Sequence, residues 1–169
     1  MTDKAKSAEL ILNLYNLRRE EVMRKARTWF FNFNPESLGD VVKAAQGEST
    51  SAYYRMVTSY WDMAASFVNH GAIDEEMFND ANGEHVFIFA KIQPFLEEIR
   101  AHTNPAYMQH LEKLVMRMPE AEARIEHART MSKRFAQARA EEVEKKRPPT
   151  FEEFARESDK AQRESEANA

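Results

Sequence analysis

Apolar side chains recur at helical spacing almost from the start of the chain. Leu10, Leu14 and Leu17, and then Met23, Ala26 and Phe30, lie three or four positions apart with charges between them. A repeat near 3.6 residues puts such positions on one face, so a first helix over about residues 2–32 is predicted, burying one long stripe. Asn34-Pro35-Glu36 then reads as a cap, a first helical proline and an acid at the positive end of the dipole. The short helix it opens runs to about Gln46. Gly47–Ser51 is a turn with a Ser or Thr cap, leading into a helix over about 52–70 that Gly71 terminates. Tyr53, Met56, Val57, Tyr60, Trp61, Ala64, Phe67 and Val68 cover most of that helix, so it is expected at the centre with several neighbours.

Asp74 followed by Glu75 and Glu76 opens the next helix, with Ile73 and Phe78 spaced as a hydrophobic staple. Asn82-Gly83 breaks it, and the apolar run from Val86 to Ile99 continues as helix, since one apolar tetrad without a partner strand cannot make a sheet. Pro94 should kink this segment and free the carbonyl of Ala90. Asn104-Pro105 repeats the cap-then-proline signal ahead of Tyr107, Leu111, Leu114, Val115 and Met118. Beyond Pro119 the pattern thins to Ile125, Ala128, Met131, Phe135, Ala138 and Val143, which predicts a polar helical arm to about Lys146. Pro148-Pro149 precedes a tail in which Thr150–Glu153 reads as a capping box. The reading is all-α: a helical bundle domain over 1–118, an amphipathic arm over 119–147 and a polar tail over 148–169.

Composition supports this and removes several chemistries. A chain of 169 residues with 43% hydrophobic and 31% charged side chains can bury one core, and 4 glycines favour helix over turn-rich sheet. The absence of cysteine excludes disulfides, thiolate zinc sites and cysteine nucleophiles, and fits a reducing compartment. Asn13 and Asn16 interrupt the first apolar run well short of a membrane span, so a cytoplasmic protein is expected. The net charge of −4 is segregated: +3 over residues 1–33, −8 over 34–99, +4 over 100–140 and −3 over 141–169. Mutual neutralisation within one fold is the favoured reading, ahead of phosphate binding.

A helical bundle invites a di-iron site, which needs two Glu-x-x-His pairs. The residues three before the five histidines are Phe67, Asn82, Ile99, Tyr107 and Arg124, so none exists, and paired histidines four apart and glycine-rich phosphate loops are also absent. No catalytic residue, metal site or cofactor is predicted. The best polar constellation is Asp62, Glu84, His85 and His70, from which an acid/base pair could be assembled. The structural alternative is favoured: Asp62 paired with Arg24 or Arg27, Glu84 as a helix cap and His70 on carbonyls beside Gly71. Trp29-Phe30-Phe31-Asn32-Phe33 is the densest aromatic cluster, and with Arg24, Lys25 and Arg27 it could stack bases and hold phosphates. A core role is favoured, with Trp29 and Phe33 sharing a face. Ile125, Met131, Lys133, Arg134 and Phe135 complete the candidate interaction surface.

Leu14-Tyr15-Asn16-Leu17-Arg18-Arg19, Arg24-Lys25-Ala26-Arg27-Thr28-Trp29-Phe30, Tyr60-Trp61-Asp62-Met63-Ala64-Ala65-Ser66-Phe67 and Gly71-Ala72-Ile73-Asp74 occur in that order. Together they resemble a bacterial domain-of-unknown-function family of small helical proteins, over about residues 10–118. The resemblance implies a helical fold and no known activity. Some members carry an N-terminal membrane helix, which this chain's N-terminus does not match. The expected function is a non-enzymatic protein-interaction or scaffold module, with a protein partner or, through self-association, a second copy. An RNA- or ribosome-associated factor is the first alternative, and a ligand pocket or enzyme at Asp62, Glu84 and His85 the second.

Overall fold

The structure, a computed structural model, describes residues 3–147 together with Thr150, Glu152 and Arg156, with Glu144 by its backbone only. Every regular element among the described residues is helical. The chain divides into two compact units, residues 1–136 and 137–169.

The first apolar stripe does not form one helix. α1 (Lys4–Arg19) and α2 (Glu21–Asn32) meet at Glu20, whose backbone turns extended while its carboxylate accepts from the Met23 amide at 2.8 Å. The phase of the apolar positions explains the bend. Leu14, buried in α1, and Met23, buried in α2, are nine positions apart, which is about half a turn out of register at 3.6 residues per turn. A straight helix would aim the two stripes in opposite directions; the break at Glu20 lets both meet the core. The next cap also differs from the Asn34-Pro35 reading. α3 (Leu38–Gln46) starts at Ser37, which forms a capping box with Asp40. Ser37 and Asp40, three positions apart, spell the box in the sequence, and two reciprocal side-chain bonds outweigh one proline signal.

α4 (Ser51–Asn69) is the central helix, packed by α2, α3, α8 and α6. It buries Tyr54, Val57, Thr58, Tyr60, Trp61, Ala64, Ala65 and Val68. Gly71, at φ +73°, ends it with the paired return bonds Ala72 N to Phe67 O and Gly71 N to Val68 O. Asp74 then caps α5 (Glu75–Ala81) through the Met77 amide, and Ile73 and Phe78 are both fully enclosed, as the staple pattern required. The Asn82-Gly83 break separates α5 from α6 (Glu84–Ile92). Pro94 ends α6 in a tight 3-10 turn, Gln93–Phe95, before α7 (Leu96–His102).

α8 (Gln109–Met116) begins four residues after the expected proline start, because Asn104 closes only a local turn onto the Ala106 amide. α9 (Ala121–Lys145) corrects the arm reading. Ala121, Ile125, Ala128 and Ser132 are all at least nine-tenths buried. Their four-, three-, four-residue spacing is one narrow helical stripe, and small residues on it allow close approach. The first part of α9 is therefore core, within the compact unit that runs to residue 136. In the second unit, the described side chains of residues 137–147 are exposed. The capping box expected at Thr150–Glu153 falls on positions of which Phe151 and Glu153 lie outside the described residues.

Candidate functional site

Asp62 projects from α4 to the start of α8, where its Oδ1 accepts from the amides of His110 at 2.9 Å and Leu111 at 2.8 Å. A helix start exposes orphan N–H groups and the positive end of the dipole. Here Met108, in the left-handed region at φ 53°, has no side chain able to cap them, so a carboxylate from another helix does. The expected pairing of Asp62 with Arg24 or Arg27 is therefore corrected. Asp62→Ala should cost about 1–2 kcal/mol while Asp62→Asn recovers most of it, with thermal unfolding as the measurement. Equal losses in the two variants would show that the amide bonds do not carry the effect.

The carboxylate that Arg27 does meet is Glu84, at the first position of α6. Arg27 donates through Nε at 2.9 Å to Oε1 and through Nη2 at 2.5 Å to Oε2, and Arg18 adds a bond from Nη2 at 3.1 Å. Arg18 also donates to Asn82 Oδ1 at 2.6 Å and lies over the Trp61 ring at 5.2 Å. Glu84 thus joins α1, α2 and α6 rather than standing ready for proton transfer.

His85 follows it in sequence and points elsewhere. It is 0% exposed, with its ring 5.8 Å from that of Trp61 and 5.3 Å from that of Phe78. Among the described residues neither imidazole nitrogen has a hydrogen-bond partner, nor does the neighbouring Trp61 Nε1. Burial pushes the His85 pKa down to about 4, so the ring is neutral. His70, exposed at the end of α4, uses Nδ1 on the Ser66 carbonyl at 2.7 Å, and its ring lies 5.6 Å from His110. Glu84 and His85 thus serve neighbours of their own, Asp62 and His70 meet different parts of His110, and no cavity among the described residues brings the four together. No group of His, Asp or Glu among the described residues could hold a metal ion.

The candidate interaction surface is also divided. Trp29 and Phe33 stack at 5.2 Å within an aromatic cluster that includes Phe30, Tyr53 and Tyr54, so they are spent within the fold. Ile125 is buried and Met131 half-buried, while Phe135 packs against Phe31 at 5.6 Å. Lys133 and Arg134 are exposed.

Sequence reasoning did not single out Lys91, although one lysine inside the apolar run Val86–Ile92 was the available signal. It is buried, and its Nζ donates to the carbonyls of Phe30, Phe31 and Phe33 at 3.1, 2.7 and 2.8 Å. A cation at the negative end of the dipole thereby gathers three carbonyls at the end of α2, of which that of Phe30 also accepts from the Phe33 amide at 3.1 Å. Burial lowers the Lys91 pKa to about 8. Nearby, the Ala90 carbonyl that Pro94 frees is taken by Arg129 Nε at 3.1 Å, and Arg129 also donates to Gln93. Lys91 and Arg129 line one side of a 410 Å³ cavity between the α2–α3 turn, the proline kink and α9.

No helix among the described residues is long and apolar enough to cross a membrane. No curated protein and no solved structure matches the chain. The profile of one family matches residues 5–118, which span α1 to α8 with Asp62, Glu84 and His85 inside. The chain belongs to that family, described as a domain of unknown function, DUF4760.

Proposed function

We propose that this chain is a non-enzymatic interaction module that pairs with a second copy of itself through the outer face of α1. The observation that carries the reading is exposed apolar surface on α1: Leu12 and Tyr15, three positions apart on one side of the helix, are 62% and 53% exposed, and Leu17, on its other flank, is 55% exposed. They lie in Leu10–Leu17, a run of eight residues without a charged side chain. Clustered apolar exposure marks interaction surfaces. A two-fold contact brings each patch against its own copy, so an uncharged patch avoids the like-charge repulsion that a basic or acidic one would meet. Arg18, which lies 5.9 Å from the Tyr15 ring, is tied to Glu84 within the fold. The engagement of Asp62, Glu84 and His85 in folding contacts supports the non-enzymatic part.

The chain has no cysteine, so a single introduced thiol reports on the contact without interference. Asn13→Cys or Asn16→Cys should yield covalent dimers on mild oxidation, whereas Lys113→Cys on α8 should not. Absence of cross-linking at both α1 positions, or equal cross-linking at Lys113, would reject this face.

A nucleic-acid reading is favoured by one observation: Arg24, Lys25, Thr28 and Trp29 line an open 650 Å³ groove on α2. Against it, Lys25 pairs with Glu21 at 2.7 Å and Arg27 is committed to Glu84. RNA binding that weakens steeply with salt and with Arg24→Glu would favour it over self-association.

A further inference from the structure

We propose that the cavity between the α2–α3 turn, the Pro94 kink and α9 is a binding site for a small oxyanion, the phosphate or carboxylate end of a soluble molecule. Its volume, 410 Å³, falls in the range of about 300–1,000 Å³ typical of small-ligand sites. Three cations line it, Lys91, Arg129 and Lys133, against one carboxylate, Glu36 on the rim. The positive excess is not dissipated inside the fold.

Lys91 is buried and bonded only to neutral carbonyls, and no carboxylate pairs with it among the described residues. Carbonyl dipoles stabilise an ammonium but leave its net charge in place, and in a half-enclosed site that charge acts over several ångströms with little screening. Arg129 is similar. Its Nε and Nη2 are fixed by Ala90 and Gln93, and its only carboxylate among the described residues is the exposed Glu126 at 3.4 Å.

Two groups are left to make direct bonds. Ser132 is 6% exposed, lines the cavity, and its hydroxyl has no hydrogen-bond partner among the described residues. A hydroxyl with no internal partner is free to donate to an anion seated in the cavity. Lys133, one position on, lines the same cavity with its ammonium free of any ion pair among the described residues. The apolar part of the lining, Pro94 and Phe95, limits water around the anion and favours a ligand with a small hydrocarbon body. Phosphate and carboxylate present the same acceptor oxygens to Ser132 and Lys133, under the held positive field of Lys91 and Arg129.

Calorimetric titration of the full chain with inorganic phosphate and, separately, with succinate tests this at fixed ionic strength. One saturable site is expected for at least one of the two, and which one binds tells the two ligand classes apart. Lys133→Gln should weaken that binding about tenfold, the worth of one charge-assisted bond, and Ser132→Ala should weaken it further. Lys113→Gln, on α8, should leave it unchanged. Both Lys113 and Lys133 are exposed, so neither variant threatens the fold. No saturable binding of either anion, heat reproduced by sodium chloride at equal ionic strength, or binding indifferent to Lys133→Gln would overturn the proposal.

Discussion

Glu84→Ala should lower the unfolding free energy by about 3 kcal/mol, among the largest losses expected from any single polar side chain of this protein. The cost comes from what is left behind. Arg18 and Arg27 have side chains only 14% and 27% exposed, and Glu84 itself 23%. Removing the carboxylate strands two guanidinium groups where water reaches them poorly, and it removes the acid from the positive end of α6. Partial exposure keeps the figure at the low end of the range for buried pairs. Glu84→Gln retains an acceptor and the shape, so it should lose roughly half as much. The double variant Arg27→Met with Glu84→Gln should lose less than the two single losses combined, because each partner's cost is mostly the stranding of the other. Urea unfolding read by tryptophan fluorescence measures this, with Trp61 under Arg18 as a local reporter. A loss below about 1 kcal/mol for Glu84→Ala would place the cluster with ordinary surface ion pairs.

The second large effect is acid sensitivity centred on His85. An unfolded imidazole titrates near pH 6.5, while burial holds this one at about 4. Between those values the unfolded chain takes up a proton that the folded chain refuses, so stability falls as pH drops through that window. The slope is at most about 1.4 kcal/mol per pH unit, for a total of about 3 kcal/mol by pH 4. Glu84 draws the pKa up slightly and Arg18 pushes it down, but desolvation is the largest cause. Carboxylates titrate over part of the same range, so the informative quantity is the difference between the wild-type chain and His85→Leu. The variant should be at least as stable at pH 7, because it removes two buried nitrogens without partners. Its advantage should grow by about 3 kcal/mol on going to pH 4. A difference that stays constant across that range would mean that His85 is protonated inside the fold.

Both effects were only partly visible in the sequence. The helices themselves were legible, because α4, α5 and α6 combine strong apolar periodicity with explicit stop and start residues at Gly71, Asp74 and Asn82-Gly83. The break at Glu20 was missed because the residue is acidic and sits in a strongly helical context. Only the half-turn offset between the Leu14 and Met23 stripes betrays it. Asp62, Glu84 and His85 were legible as unusual residues but not in their partners. Asp62 meets amides 48 and 49 positions away and Glu84 meets guanidinium groups 57 and 66 positions away, and no local pattern encodes such pairings. The expected pairing of Asp62 with Arg24 or Arg27 fails because the fold places Glu84 against Arg27 and Asp62 against the α8 amides. α9 was underestimated for a different reason. Its core stripe uses Ala121, Ala128 and Ser132, small residues that contribute little to a hydrophobicity pattern yet let helices approach closely.

Sedimentation equilibrium of the full chain at micromolar concentration tests the central claim most directly, run beside the double variant Leu12→Glu with Tyr15→Glu. Both side chains are more than half exposed, so the substitutions do not disturb the core. The wild-type chain should form a reversible dimer, and the variant, whose paired patches would carry four like charges, should stay a monomer. A wild-type monomer, or a dimer that survives the two glutamates, would contradict it.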